Sequence, residues 1–189
     1  MMPARFTKDD WLAFGLSQLA SDGPDALKLS ALCAAAHKTI GSFYHHFKDQ
    51  PAYFEALLEY WKKKNTGDII EQLSALPDSI GKAKHLKIIA MAMDQTEDVG
   101  IRILAQKNAI ASGVVTAVDQ MRIEFMKSLY QDQLDLSEQD AQLLAQLEYA
   151  AFVGTQTIWP NSPIEHGQSL SALFHKLVKA RYAAESPRS

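Results

Sequence analysis

The sequence contains a single cysteine, Cys33, so an internal disulfide bond is excluded and the composition fits a reducing cytoplasm. We expect Cys33 to be a small buried hydrophobic residue rather than a reactive thiol. No apolar run approaches the roughly 18 to 20 residues of a membrane-spanning helix. The first residues, MMPARFTKDDW, lack the apolar core of a signal peptide. These absences predict a cytoplasmic protein with no membrane partner.

The motifs of several enzyme classes are missing as well. The chain has no nucleophile elbow, HExxH, P-loop or CxxC pair, and its nine glycines are scattered. We therefore predict that the protein is not an enzyme and that it uses no cofactor.

An excess of charge is also missing, although the charge is unevenly distributed. The net charge is −3 for the whole chain, +1 for residues 1–65 and −4 for residues 66–189. Three of the six histidines lie in the first of these segments. We expect any anionic partner to bind there.

Helical periodicity runs through almost the whole sequence, and no segment alternates as a strand does. Three helix starts carry a hydroxyl group followed three residues later by an acid, at Thr7, Ser137 and Ser162. Turn-forming clusters predict breaks at Gly23-Pro24, Leu76-Pro77-Asp78, Ser112-Gly113 and Trp159-Pro160-Asn161. We predict helices near residues 7–21, 27–35, 39–45, 49–65, 67–75, 79–93, 97–111, 114–132, 138–159 and 163–183.

The helices change character along the chain. The first four are short and closely spaced, which predicts a compact unit over residues 1–65 and a second one over 66–189. The helix over 138–159 is apolar around most of its circumference, so it must be buried on more than one side. Part of that burial can be against a second copy of the chain.

Residues 28–47, KLSALCAAAHKTIGSFYHHF, have the spacing of a helix-turn-helix, in which a second short helix enters the major groove of DNA. Thr39 is the expected N-cap of that second helix, and Phe43 and Phe47 form its inward side. The buried stripe of the first helix is expected to consist of Leu29, Leu32 and Cys33.

Three interpretations compete for Tyr44, His45 and His46: a metal site, a piece of core, or a surface that meets an anion. Adjacent residues on a helix diverge by about 100°, so His45 and His46 cannot converge on one metal ion. Core packing explains Phe43, Phe47 and part of the role of His46. Tyr44 and His45 together favour the anion-facing surface, and we predict no metal site.

Residues 7–61 resemble the DNA-binding unit of the TetR family of bacterial transcriptional repressors. The resemblance is carried by Trp11 through Leu19, the Gly23 turn, Leu29-x-x-Leu32-Cys33, the run GSFYHHFKD that begins at Gly41, and Trp61. It implies an all-α fold of about nine to ten helices. In that fold an N-terminal helix-turn-helix unit of three helices precedes a helical domain for effector binding and dimerisation.

The resemblance also implies which residues meet DNA. Tyr44, His45 and Lys48 match positions that contact phosphates, and Lys28 and Ser30 match a phosphate-facing helix start. The full set of implied DNA-binding residues is Lys28, Ser30, Thr39, Ile40, Gly41, Ser42, Tyr44, His45 and Lys48.

Two departures from the family pattern bear on DNA recognition. His37-Lys38 stands where Gly-Val is common, so His37 is expected to adopt a left-handed backbone, which histidine tolerates better than most residues. Ile40 stands where lysine is frequent, which removes a cation and allows a contact with a thymine methyl group instead.

The family keeps an internal cavity in its second domain, which implies a pocket for an apolar or aromatic small molecule here. Arg122 is a candidate contact, although a pair with Asp119 on the same helix face is the plainer interpretation. The candidate effector-binding residues are His85, Met91, Asn108, Arg122, Phe125, Met126, Tyr149, Phe152, Gln156 and Trp159.

Taken together, the sequence predicts a homodimeric repressor that binds a palindromic double-stranded DNA operator and is released by a small-molecule effector. Self-association is expected through residues 138–159 and 163–183, packed as a four-helix bundle with the partner copy. The alternative is an all-helical ligand-binding or scaffolding protein that has lost operator binding, which the turn at His37 and the residue Ile40 favour.

Overall fold

The computed structural model describes residues 6–134 and 136–183, and all of the regular secondary structure in these residues is helical. The predicted all-α fold is confirmed. The helices are α1 Lys8–Asp22, α2 Leu29–Ala35, α3 Ile40–Tyr44, α4 Gln50–Lys62, α5 Asp68–Ser74, α6 Ser79–Ala92, α7 Thr96–Ala105, α8 Ala109–Leu134, α9 Glu138–Ile158 and α10 Ile164–Ala183.

Two predicted helix starts have the expected caps. The hydroxyl of Thr7 accepts from the backbone N–H of Asp10 (3.1 Å), and the carboxylate of Asp10 accepts from the backbone N–H of Thr7 (2.8 Å). The backbone N–H of Thr7 and the Thr7 hydroxyl, which also donates to this carboxylate (2.8 Å), lower the pKa of Asp10. Ser137 accepts from the backbone N–H of Asp140 (3.1 Å) in the same way. Both caps satisfy amide donors that a helix start otherwise leaves without a partner.

The predicted break at Ser112-Gly113 is wrong, because both residues lie inside α8. The chain breaks at residues 106–108 instead, where the side-chain oxygen of Asn108 accepts from the backbone N–H of Ala111 (2.9 Å). A single glycine costs a helix only about 1 kcal/mol relative to alanine. The Asn108 cap and the 26-residue length of α8 outweigh that cost.

Two short helical turns were not predicted. A 3₁₀ turn, Pro24–Leu27, connects α1 to α2, and a π-helical turn, Lys63–Gly67, continues α4 into α5 without a break. Such turns join helical segments whose backbone hydrogen-bonding patterns differ. Residue spacing in the sequence does not predict them.

One compact unit consists of the chain up to Ile69 together with Asp94–Asp119. The unit therefore includes α7 and the first part of α8 in addition to the predicted segment 1–65, and a functional division at residue 65 stays a prediction. Its core is dense in aromatic residues. The largest fully buried side chains in it are Trp11, Trp61, Tyr53 and Phe43.

Two close helix crossings hold this unit together. A Cβ atom at Gly15 of α1 would lie 1.9 Å from the hydroxyl oxygen of Tyr53 on α4, and one at Gly100 of α7 would lie 3.2 Å from the carbonyl oxygen of Leu19 on α1. The Tyr53 hydroxyl donates to the carbonyl of Trp11 (3.3 Å), and burial raises the pKa of Tyr53. Helices α4 and α7 are thus fixed against α1. Helix α3 packs on α1 and α4 through the ring of Phe43.

The second unit consists of Ile70–Met93 and the chain from Gln120 onward. Its buried cluster joins α8, α9 and α10 and consists of Tyr130, Ala141, Ala145 and Val178. The Tyr130 hydroxyl donates to the carboxylate of Glu148 (2.7 Å), and burial raises the pKa of Tyr130. Several large apolar side chains of α9 and α10 remain exposed in the single chain, among them Leu143, Leu147, Leu173 and Leu177.

Within the part of the chain that the structure describes, none of the helices has the length and apolar character needed to cross a membrane.

Candidate nucleic-acid interface

The turn between α2 and α3 is closed by a residue with a left-handed backbone. His37 has a φ of 52°. The backbone N–H of Lys38 donates to the carbonyl of Cys33 (3.0 Å), and that of His37 donates to the carbonyl of Ala34 (3.1 Å). This is the Schellman pattern, which ends a helix and satisfies its last carbonyl groups. The left-handed conformation predicted for His37 is confirmed.

Helix α3 begins at a cap and is anchored by one ring. The hydroxyl of Thr39 accepts from the backbone N–H of Ser42 (3.1 Å). Phe43 is fully buried, and its ring centroid lies 5.5 Å from that of Trp11 and 5.1 Å from that of Tyr53. Aromatic pairs at these distances stabilise a fixed geometry beyond the burial of their area. A helix of only five residues therefore has a defined orientation.

The side of α3 opposite Phe43 is exposed. We call Ile40, Gly41, Tyr44 and His45 the outward face of α3, since residues at i, i+1, i+4 and i+5 lie on one side of a helix. Ile40 is 50% exposed and Tyr44 is 49% exposed, and Gly41 and His45 are exposed as well. The Tyr44 ring packs edge-on against Phe43 at 5.6 Å, which holds it in place.

His45 and His46 take different roles. His46 is half-buried, and its Nε2 lies 3.0 Å from the carbonyl oxygen of Phe6, so it ties the segment before α1 to the end of α3. His45 is exposed on the outward face. Among the residues that the structure describes, no three His, Cys, Asp or Glu side chains are placed to hold a metal ion.

The remaining predicted contacts are also accessible. Lys28, Ser30 and Lys48 are exposed. The Lys28 Nζ lies 2.8 Å from the Asp25 carboxylate and lowers the pKa of Asp25. Because both groups are open to solvent, this ion pair is weak and leaves Lys28 able to bind a phosphate. Lys48 directly precedes Asp49, whose carboxylate caps α4 by accepting from the backbone N–H of Ala52 (2.8 Å).

Two further cations were not among the predicted contacts. The Nζ of Lys38 lies 5.2 Å from the ring centroid of Phe6, and that of Lys8 lies 5.8 Å from the ring centroid of Phe47. A cation over an aromatic face is a favourable contact. The two residues of each pair are more than 30 positions apart in the sequence, so no local pattern predicts either contact.

Of the predicted effector-binding residues, three lie together. The guanidinium of Arg122 donates to the hydroxyl of Tyr149 (3.4 Å), and the Tyr149 ring stacks on Phe152 with centroids 6.4 Å apart. Tyr149 is buried, whereas Arg122 and Phe152 are half-buried. This arrangement offers a cation and two aromatic rings in one place.

The other candidates are more dispersed. Met126 packs against the buried cluster of the second unit. His85 is exposed on α6, with its Nδ1 2.9 Å from the carbonyl of Gly81. Trp159 is exposed and packs edge-on against His166 at 5.0 Å. Half-buried positions are found for Met91, Phe125 and Gln156.

Asn108 belongs to the first unit and not to the second. Besides capping α8 it lines an open groove of about 300 Å³ together with Gln50, Pro51, Phe54 and Ile110. Asp119, also in the first unit, pairs with the guanidinium of Arg102 through two contacts of 3.1 and 2.5 Å. The two residues are 17 positions apart and lie on different helices, so helical periodicity does not predict this pair.

Two solved structures have the same architecture over most of the chain. A protein described as a transcriptional regulator, from Pseudomonas aeruginosa PAO1, aligns with a TM-score of 0.69 at 14% identity and covers 93% of each chain. The chain shares the fold of both structures. Escherichia coli NemR in its reduced form aligns with a TM-score of 0.66 at 18% identity, covering 87% of this chain and 95% of that one. No family model matches the sequence, and no curated protein is a significant match.

Proposed function

We propose that the protein is a transcriptional regulator of the TetR type, a repressor that binds a palindromic operator as a homodimer and is released by a small molecule. The observation that carries the proposal is the outward face of α3, held by the Schellman turn and by the buried ring of Phe43. The fold shared with a protein described as a regulator supports it. The resemblance of residues 7–61 to the TetR DNA-binding unit supports it as well.

In this proposal α3 enters the major groove and neighbouring residues bind the phosphate backbone. Tyr44, His45 and Lys48 supply a hydroxyl, an imidazole and an ammonium group, all of them exposed. Gly41 has no side chain, and a Cβ atom there would meet only the Thr39 hydroxyl at 3.8 Å, so the backbone of α3 can approach DNA closely. Lys28 and Ser30 reach the backbone from the start of α2.

Two copies are proposed to pair through α9 and α10. Leu147 is 59% exposed and Leu177 is 61% exposed in the single chain, and both helices carry further exposed leucines. Apolar patches of this kind on a long helix pair are typical of a surface that another protein covers. A four-helix bundle with the partner's α9 and α10 buries them.

Release by an effector is proposed to follow from a shift between two states of the dimer. A small molecule with an apolar or aromatic body, bound near Arg122, Tyr149 and Phe152, favours a state in which the two α3 helices no longer match successive grooves. The cation of Arg122 suits a ligand that also carries an acidic or other electron-rich group.

The proposal is tested with a DNA duplex that the full chain enriches from a random double-stranded pool, called here the enriched duplex. Fluorescence anisotropy then measures affinity over a range of salt concentrations. We expect Lys48→Ala to reduce the slope of log K against log salt by about two, about one for each copy of the dimer. We expect Tyr44→Phe to weaken binding by about tenfold for each copy of the dimer, through loss of a hydrogen bond to a charged phosphate.

Lys84→Ala serves as the matched control, because Lys84 is an exposed lysine of α6 in the second unit. It should leave both the affinity and the slope unchanged. If a duplex is enriched but both the Lys48→Ala and the Tyr44→Phe variants bind it like the original chain, the phosphate contacts proposed for these two residues are wrong. If no duplex is enriched, the alternative of a helical ligand-binding or scaffolding protein without operator binding takes precedence. The absence of a cationic side chain from α3 itself is the feature that favours this alternative.

A further inference from the structure

The outward face of α3 lacks the side chains that read DNA bases through paired hydrogen bonds. Between Thr39 and His45 the sequence has no Arg, Lys, Asn, Gln, Asp or Glu. Those six residue types make the common contacts to guanine, adenine and cytosine edges in the major groove. Base recognition by this helix is therefore left to single hydrogen bonds from hydroxyl or imidazole groups and to apolar contacts.

The large apolar side chain on this face is Ile40. It occupies the first turn of α3, directly after the Thr39 cap, and it is 50% exposed. Tyr44 lies four residues later on the same side, and Gly41 beside it adds no side chain that could shield it. An isoleucine side chain is therefore exposed to solvent at the N-terminal end of α3, the helix that is proposed to enter the major groove.

The major groove of DNA presents one apolar feature, the C5-methyl group of thymine. Burial of Ile40 against that methyl removes apolar surface of both partners from water. We propose that Ile40 is a specificity-determining residue that selects thymine through its methyl group. This inference rests on the proposed function, since it requires α3 to lie in the groove.

The size of the effect follows from the burial of one methyl group. A buried methyl-sized group changes affinity by about fourfold. If both copies of a dimer make the contact, loss of both thymine methyls weakens binding by about fifteenfold, because the two effects multiply. Both changes are large enough to measure in an equilibrium titration.

Deoxyuridine is the probe that isolates this contact. It pairs with adenine as thymine does and differs from thymine only by the missing methyl. Each thymine of the enriched duplex is replaced in turn by deoxyuridine, and the affinity of the full chain is measured. We expect a loss of about fourfold at one thymine position in each repeat of the site and little change at the others.

Three variants assign that loss to a residue. Ile40→Ala should bind the thymine and deoxyuridine duplexes equally, whereas Ile40→Val, which keeps a branched apolar side chain, should keep the preference. Ile110→Ala is the matched control, because Ile110 is an isoleucine of the same unit with a similar exposure of 52%. It should discriminate between the duplexes as the original chain does. Circular dichroism verifies that each variant is folded.

The outcomes separate this inference from the proposed function. Failure to enrich any duplex overturns both. A duplex that is enriched and bound, but whose deoxyuridine profile is the same for the original chain and for Ile40→Ala, overturns the role of Ile40 and leaves the proposed function standing. A position-specific loss that disappears in Ile40→Ala and persists in Ile110→Ala supports the inference.

Discussion

At the scale of single residues, His37 combines an uncommon backbone conformation with a position next to the helix proposed to bind DNA. Its φ of 52° places it in the left-handed region. Residues with a branched β-carbon are strongly disfavoured there, whereas asparagine tolerates that region. The Schellman hydrogen bonds of His37 and Lys38 depend on this conformation.

We predict that His37→Val lowers the free energy of unfolding by about 1–2 kcal/mol, because valine must adopt a strained backbone. His37→Asn should leave it within about 0.5 kcal/mol of the original value. Urea denaturation followed by circular dichroism measures both. His85→Val, at an exposed histidine in the middle of α6, is the control and should change stability little. A His37→Val protein as stable as the original chain contradicts the account.

Some residue-level features could be predicted and others could not. The left-handed backbone of His37 was predicted because the family pattern has glycine in that turn. The exposure of Tyr44 and His45 followed from helical periodicity once Phe43 was recognised as inward. The contact of His46 with Phe6 and the position of Lys38 over the Phe6 ring were not predicted, since each joins residues more than 30 positions apart.

At the scale of helices, a buried polar cluster joins α4 to α7. The indole N–H of Trp61 donates to the carboxylate of Asp98 (2.8 Å), and both side chains are almost fully buried. The side chain of Asn65, in the π-helical turn after α4, donates to the neighbouring Glu97 (3.2 Å). Asp98 lies in the first turn of α7, where a negative charge is favoured by the helix dipole.

We predict that Asp98→Ala lowers the free energy of unfolding by about 2–3 kcal/mol, because the buried indole N–H of Trp61 loses this acceptor. Asp98→Asn should cost less, since an amide oxygen can still accept from it. Thermal and urea unfolding measure both effects, and Glu71→Ala, at an exposed acid of α5, provides the reference for a surface change. Equal stability of the Asp98→Ala and Asp98→Asn proteins would show that the hydrogen bond contributes nothing.

Most helices could be predicted from periodicity and caps, because these are local signals. The predicted starts at Thr7 and Ser137 are confirmed by cap hydrogen bonds, and the two observed helices begin within a residue or two of the predicted positions. The predicted break at Ser112-Gly113 is wrong because one glycine does not end a helix, whereas the asparagine cap at Asn108 begins one. The π-helical turn Lys63–Gly67 depends on the packing of Asn65 and Thr66, which the sequence pattern does not contain.

At the scale of the whole molecule, the two compact units are not consecutive in the sequence. Asp94–Asp119 returns to the unit that contains α1, and Gly100 allows α7 to approach Leu19 closely. Such a return depends on contacts between segments about 80 residues apart, and local patterns predicted only a division by sequence order. The effector-binding candidates show the same limit, because Asn108 was assigned to the second unit and lies in the first.

The proposed dimer requires that exposed apolar residues of α9 and α10 become buried between the two copies. If two copies pair there, Leu147 becomes buried, and a charge at that position is costly. Leu147→Glu should therefore shift the protein toward single chains. Ile80→Glu, at a 73% exposed isoleucine of α6, is the matched control and should not change the association state.

Hydroxyl-radical footprinting of the enriched duplex tests the central claim most directly, because it shows both that the protein covers the DNA backbone and that two copies do so together. We predict two protected tracts centred about one helical turn apart for the original chain and for Ile80→Glu. Leu147→Glu should give weaker protection that no longer occurs in paired tracts. An original chain that protects no part of the duplex, or protects a single tract with the same strength as Leu147→Glu, contradicts the account.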